Sequence, residues 1–362
     1  MKADHRLARQ DAVRGVLERD GLDALLVTHL PNIRYLTGFT GSAGLLLVRP
    51  GETVLVTDFR YAAQAPAEAG NAAAVVIDQV NVWDRLARVL AAAPVKSLGI
   101  EAAALTVRDA ERVAALGRYT VVPTTEVVER LRAAKSPDEV SAIQAAATLA
   151  QEALAEVLPT VQAGEREIDV GARLESALRR RGSEWHPFQT IVASGSRAAL
   201  PHARTTTRTI GRGDWLLLDF GAQVDGYCAD LTRTVVVGAR ADDKQRAVYE
   251  LVRQAQARAV SLVSAGMSGR DGDALARDPI AAAGYGEAFG HSLGHGLGLE
   301  VHEAPRLSPT ADAALPLHAV VTVEPGIYLP GWGGVRLEDD VYLGPDGPRC
   351  LSDNRTDLIE LP

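Results

Sequence analysis

The 362 residues suffice for two or three domains with real cores, and 47% hydrophobic with 23% charged residues is ordinary for a soluble globular chain. A net charge of −8 argues against a polyanion-binding surface, so no nucleic-acid partner is expected. Only two cysteines occur, the charged N-terminus has no apolar signal-peptide core, and no apolar run approaches the roughly 18 residues of a membrane span; a cytoplasmic protein with no membrane partner is therefore expected.

Residues 4–20 read as a helix and 23–28 as a strand. The stretch LPNIRYLTGFTGSAG (30–44) reads as a loop unusually rich in Arg, aromatic and Gly residues, with Arg34, Tyr35 and Phe39 close together. A hairpin around Pro50-Gly51 (44–58) and a helix (60–69) follow. Next come a strand (74–77), a helix (81–92), a strand (97–100), a helix (106–115) and a strand (119–122). Alternating strands and helices predict a small α/β domain. Ser136-Pro137-Asp138-Glu139 carries the punctuation of a helix start, which places a boundary near 134 and two domains at 1–134 and 135–362.

The second part contains an internal echo. VQAGEREIDVGARLESALRRRG (161–182) and VSAGMSGRDGDALARDPIAAAG (263–284) align without gaps at an offset of 102. Each copy follows a long helical segment (138–157 and 242–264) and precedes strands. The pattern fits a duplicated helix–helix–sheet unit facing itself across a cleft, with chance similarity of Ala-rich helices as the alternative.

Within LLLDFGAQVDGYCADLTRT (216–234), Asp225-Gly226 is a two-residue hairpin signal. With that turn, Val224 faces Tyr227, Asp230 faces Gly221, and Asp219 projects from the same face as Asp230. Their Cβ atoms then lie about 7 Å apart, diagonally across the pair. Two ionised acids on an apolar hairpin repel each other, and a divalent cation resolves the problem. Cys228 shares the parity of Asp230 and reads either as a site residue or as a small core residue. VVTVEPGIY (320–328) reads as a strand presenting Glu324, and GVRLEDDVYL (334–343) as another presenting Glu338. Arg336, two residues before Glu338, shares its face and could orient that carboxylate, bind a substrate carboxylate or form a supporting salt bridge. FGHSLGHGLGLEVHE (289–303) holds His291, His295 and His302 within twelve residues, and its glycines favour close backbone approach over a helix.

The ordered set Asp219, Asp230, His295 in GHGLGLEVHE, Glu324 in TVEPGIY and Glu338 in VRLEDD resembles the pita-bread-fold metallopeptidases, and within them the Xaa-Pro branch of prolidase and aminopeptidase P. The resemblance covers the whole chain and implies an α+β architecture: an N-terminal creatinase-like α/β domain, then a duplicated, pseudo-twofold pita-bread catalytic domain. It implies two divalent ions per subunit, Mn2+ first, with Co2+, Fe2+ and Zn2+ as alternatives. Asp219 would chelate one ion, Asp230 and Glu338 would bridge both, and His295 with Glu324 would complete the other. A hydroxide held between the ions would attack the scissile carbonyl. By the same likeness His202 (in LPHARTT) and His302 would stabilise the oxyanion and contact substrate, and His291 would line the proline pocket. Glu324 could also carry a proton to the leaving nitrogen, and Arg336 would serve catalysis or substrate binding. The implied substrate is a short peptide with proline second, and the implied assembly is a homodimer in which residues 30–44 could close over a partner's site. A methionine aminopeptidase shares the ligands but normally lacks the first domain, creatinase lacks the ligands, and a non-catalytic binding relative typically loses some of them. Dipeptidase and longer-peptide aminopeptidase remain open alternatives.

Overall fold

The computed structural model describes residues 3–352 and 355–362. They form two units, one ending at Arg132 and the other beginning at Ala133. The first contains strands β1 (Ala24–Val27), β2 (Leu45–Val48), β3 (Thr53–Asp58), β4 (Ala74–Asp78), β5 (Ser97–Glu101) and β6 (Thr120–Thr124) in one mixed sheet of order β4-β3-β2-β1-β5-β6. Every residue of β1 and β2 is buried, as the unbroken apolar runs ALLV and LLLV require of strands covered on both faces.

Two local expectations need correction here. Residues 30–37 are a helix, Leu30–Thr37, and not a loop. Pro31 in the first turn and Gly38 at φ 84, whose N–H bonds Arg34 O, are its punctuation. That helix buries Tyr35, whose hydroxyl donates to Leu131 O at 3.1 Å, and Phe39 beyond it is 1% exposed. Both aromatics therefore serve their own unit's core, so of the three residues only Arg34 is available to another surface. The helix expected over 60–69 is split into a 3-10 turn, Phe59–Tyr61, and a helix, Gln64–Ala69; the Asp58 carboxylate caps the first piece at Arg60 N.

The second unit has strands β7 (Ile191–Ser194), β8 (Asp214–Val224), β9 (Tyr227–Val237), β10 (Gly294–Gly296), β11 (Glu303–Leu307), β12 (Val320–Val323), β13 (Gly326–Leu329), β14 (Gly333–Arg336), β15 (Asp339–Gly344), β16 (Gly347–Cys350) and β17 (Glu360–Leu361). They make sheets of order β17-β9-β8-β7 and β11-β10-β12-β15-β16, with β13-β14 as a separate hairpin. Helix Pro137–Val157 starts at a capping box between Ser136 and Glu139. The sequence echo is visible in the helices: Glu167–Arg180 and Gly269–Ala282 are displaced by 102 residues at both ends. Each packs on a long partner, Pro137–Val157 or Asp243–Leu262, so each half is a helix pair backing strands.

The β8–β9 turn has Asp225 at φ 49 and Gly226 at φ 76, the left-handed pair that a tight two-residue hairpin needs. Register follows: Val224 pairs with Tyr227, Gly221 with Asp230, and Asp219 with Thr232. The segments expected as single strands over 320–328 and 334–343 are each broken at their acid. Glu324-Pro325 separates β12 from β13, and Leu337-Glu338 separates β14 from β15. In both breaks the acid's own N–H leaves its ladder, Glu324 bonding Leu293 O and Glu338 bonding Thr232 O.

Gly221 has no room for a side chain, because an added Cβ would stand 2.2 Å from Ala229 O and 2.7 Å from Pro187. Gly221→Ala is expected to cost about 1–3 kcal/mol in urea unfolding. Gly290→Ala, where a Cβ meets nothing within 4 Å, is expected to stay within about 0.5 kcal/mol of the parent.

Candidate metal centre

His295 sits at the centre of the shortest strand of its sheet. Its neighbours are glycines because β10 is pressed between two others: a Cβ on Gly294 would lie 2.0 Å from Thr322 O, and one on Gly296 2.2 Å from Ala304 O. The expectation of close backbone approach is met inside the sheet itself. His295 Nδ1 lies 3.1 Å from Gly296 O, which turns Nε2 towards the acids. Nε2 stands 3.4 Å from Glu324 Oε1 and 3.9 Å from Asp230 Oδ2. One ligand atom each from Asp230, His295 and Glu338 fall within 4.8 Å of one another.

A cavity of about 420 Å³ brings together all nine residues singled out in the sequence: Asp219, Asp230, Glu324 and Glu338, His202, His291, His295 and His302, and Arg336. Burial raises every one of the four carboxyls. Asp230 and Glu338 are pushed well above the usual carboxylate range by burial and then by the neighbouring acids. Glu324 is raised by burial to about 7, with Arg336 opposing, and Asp219 is raised by burial against the pull of Arg336. Burial lowers His295 to about 3, and lowers His302 with help from Arg306, so these rings are neutral at physiological pH.

Arg336 Nη2 is 2.6 Å from Asp219 Oδ2, so of the roles considered for this arginine the ion pair is the one present. Its Nη1 donates to Tyr328 Oη at 2.8 Å. Tyr328 Oη in turn lies 2.8 Å from His291 Nε2, and His291 Nδ1 lies 2.8 Å from Ser292 O. A carbonyl can only accept, so Nδ1 carries the ring proton and Nε2 accepts the tyrosine O–H. Burial lowers His291 to about 4, consistent with that neutral tautomer.

Among the described residues Arg336 is ion-paired with one of the four carboxylates, Asp219, which leaves Asp230, Glu324 and Glu338 without an arginine partner. Among the described residues Asp230 Oδ1 is buried with no hydrogen-bond partner, an arrangement that suits a cation. A donor set of carboxylates with one imidazole, and without thiolate, fits a hard or borderline divalent ion. Cys228 is buried away from the cavity lining, its thiol raised by burial, so it acts as a small core residue.

Several neighbours were not singled out in the sequence. Arg306 lines the cavity and pairs in register with His295, and among the described residues its guanidinium has no hydrogen bond or ion pair. Tyr328, Thr232 and Thr322 hold site residues through hydroxyls. Asp339, next to Glu338, is fully buried but satisfied by Arg233 at 2.8 Å and Gln256 at 2.6 Å. Asp340 accepts the Asp230 N–H at 3.1 Å. Strand parity could have placed Thr232 on the face of Asp230; nothing in the sequence marks Arg306.

Comparison with known proteins agrees with this centre. Residues 141–345 match metallopeptidase family M24 and residues 9–134 match the creatinase/prolidase N-terminal domain. The Xaa-Pro dipeptidase of Pyrococcus horikoshii is 35% identical over 95% of this chain and 96% of its own. The structure of an Xaa-Pro dipeptidase from Bacillus anthracis superimposes with a TM-score of 0.95 at 39% identity, covering 98% of this chain and 100% of that one. An X-Pro aminopeptidase from Thermotoga maritima gives 0.90 at 35% identity, covering 97% and 99%.

The raised Glu324 gives a pH test. Its folded value of about 7 exceeds the ordinary 4.5, so the folded chain holds more protons than the unfolded chain between them. That contribution to stability is complete below about 4.5 and is lost as pH rises through about 7. Calorimetry of metal-free protein is expected to show Tm falling across this window, with Glu324→Gln flattening the fall. A saturating divalent ion should reverse the slope, because binding takes the deprotonated acids.

Proposed function

The chain belongs to metallopeptidase family M24, and on that footing we propose that it is a metal-dependent Xaa-Pro peptidase that cleaves between an N-terminal residue and a following proline. The observation that carries this reading is the convergence of Asp219, Asp230, Glu324, Glu338 and His295 on one cavity with Asp230 Oδ1 left unpaired. These five residues would hold a pair of divalent ions, with Mn2+ favoured by the oxygen-rich donor set. Bound there, such ions bring the pKa of water towards neutrality and polarise a carbonyl.

The chain's own groups supply the rest. Neutral His302, and His202 across the cavity, each can donate a ring N–H to the oxygen that gains charge when the carbonyl is attacked. The Glu324 carboxyl, near 7, can take up a proton and pass it to the leaving proline nitrogen. His291, locked by Tyr328 and Ser292, is a rigid wall suited to the proline ring. Arg336 keeps Asp219 oriented.

Arg306 supports the dipeptidase form of the reading. A guanidinium in the same cavity, without a partner among the described residues, matches the carboxylate that a dipeptide carries just beyond the scissile bond. The names of relatives include both dipeptidases and an aminopeptidase. Two free cysteines suit a reducing cytoplasm, and a homodimer is in keeping with the resemblance noted above. The domain assignment in this reading is an N-terminal domain at 1–134 and a catalytic domain at 135–362. The complete ligand set disfavours a non-catalytic relative, and the first domain disfavours a methionine aminopeptidase.

Metal-reconstituted protein is expected to hydrolyse Ala-Pro with a higher kcat/KM than Ala-Pro-Ala. Arg306→Met should raise KM for the dipeptide about tenfold or more and change the tripeptide little. Asp230→Ala or Glu338→Ala should remove turnover of both, on the order of a thousandfold. Equal use of the two peptides in wild type and in Arg306→Met would assign the aminopeptidase form instead. Turnover in Glu338→Ala at the wild-type rate would remove the metal-dependent mechanism.

A further inference from the structure

We propose that Thr232 and Thr322 are positioning residues of this centre, one for each metal-binding glutamate, Thr232 fixing Glu338 and Thr322 fixing Glu324. The inference deepens the metal-dependent reading and rests on it.

Thr232 lies on β9 two residues after Asp230, so both side chains leave the same face, and it pairs with Asp219 across the hairpin. It is fully buried. Its Oγ1 is 3.0 Å from Arg336 Nε and 2.6 Å from Glu338 Oε2. An arginine nitrogen only donates, so the threonine oxygen accepts from it. The single hydroxyl hydrogen is thereby left for Glu338. The main chain repeats the connection, with Glu338 N donating to Thr232 O at 3.1 Å.

Two consequences follow for the glutamate. Oε2 is committed to the hydroxyl, while Oε1 makes no hydrogen bond among the described residues; since Glu338 lines the cavity, Oε1 is the oxygen left for a cation. The hydroxyl also stands between a guanidinium and a carboxylate that would otherwise close on each other in a two-pronged pair, consuming both oxygens. With Thr232 in place, the far end of Arg336 reaches Asp219 instead.

Thr322 repeats the device from a different sheet. It is fully buried on β12, two residues before Glu324. Its Oγ1 accepts the His295 backbone N–H at 3.1 Å and donates to Glu324 Oε1 at 3.1 Å. One hydroxyl thus ties the strand that carries the imidazole to the acid nearest that imidazole. In each case the threonine takes a hydrogen from a group that can only give one and passes its own to a ligand carboxylate. Outer-shell partners of this kind typically govern metal affinity by 10–100-fold.

The test is calorimetric titration of Co2+ into metal-free wild type, Thr232→Val, Thr322→Val and the corresponding serine variants, with the visible Co2+ spectrum recorded at saturation. Valine keeps the branched shape and deletes the hydroxyl; serine restores it. Each valine variant is expected to bind about 10–100-fold more weakly, with an altered spectrum, and each serine variant to recover to within about threefold of wild type. Metal-free Tm should separate serine from valine far less than affinity does, which a merely structural role would not produce. Alanine variants are measured alongside, so that a folding defect in one valine variant leaves the comparison with serine intact. Valine and alanine variants that bind like wild type, or serine variants no better than valine, would overturn the assignment of the threonines alone. Absence of Co2+ uptake by wild type would overturn the metal-dependent reading together with it.

Discussion

Four carboxylates share one cavity, and among the described residues only Asp219 is paired there with an arginine; that crowding of acids is the constraint on which the rest of the structure depends. Without a metal, burial raises all four carboxyls, and for Asp230 and Glu338 the neighbouring acids add to it, because ionising acids in an apolar surround is costly. A bound divalent ion reverses that preference. The sheets, the broken strands and the glycine-rich segment around His295 can all be understood as means of holding those acids together until such an ion arrives.

Strand breaks do part of this work. A continuous strand offers its side chains every second residue and satisfies its N–H groups along the ladder. Glu324 and Glu338 stand instead where β12 and β14 end, and their N–H groups bond Leu293 O and Thr232 O, in neighbouring segments. The acids gain positions that a regular strand could not give them, and their backbones remain satisfied. Thr322 and Thr232 then fix the carboxylates, while Asp339 and Asp340 after Glu338 turn to Arg233 and to the Asp230 N–H. Three consecutive acids in one motif therefore have three different employments.

Much of this could be read from the amino-acid order. The Asp225-Gly226 turn determines the β8–β9 register, and through it the shared face of Asp219 and Asp230. The 102-residue echo appears as two helices displaced by that interval. The ligand set came from spacing together with family resemblance, and all its members line one cavity. What was illegible had physical reasons. Helix Leu30–Thr37 looked like a loop because its glycines and aromatics outweighed Pro31 and Gly38, which are its start and stop. The breaks at Glu324 and Glu338 depend on partners distant in sequence, which no local pattern reveals. Arg306 pairs with His295 only through the β10–β11 register, so a lone arginine in a loop-rich stretch gave no signal.

The central claim is that burial favours protonation of these acids and that a divalent ion displaces protons from them. The most direct test is proton release on binding, measured by titrating Co2+ into metal-free protein near pH 6 in buffers of different ionisation enthalpy. With Glu324 at about 7, release of close to one proton from this group is expected near pH 6, its share declining as pH rises above 7. Binding without proton release across that range would contradict the account.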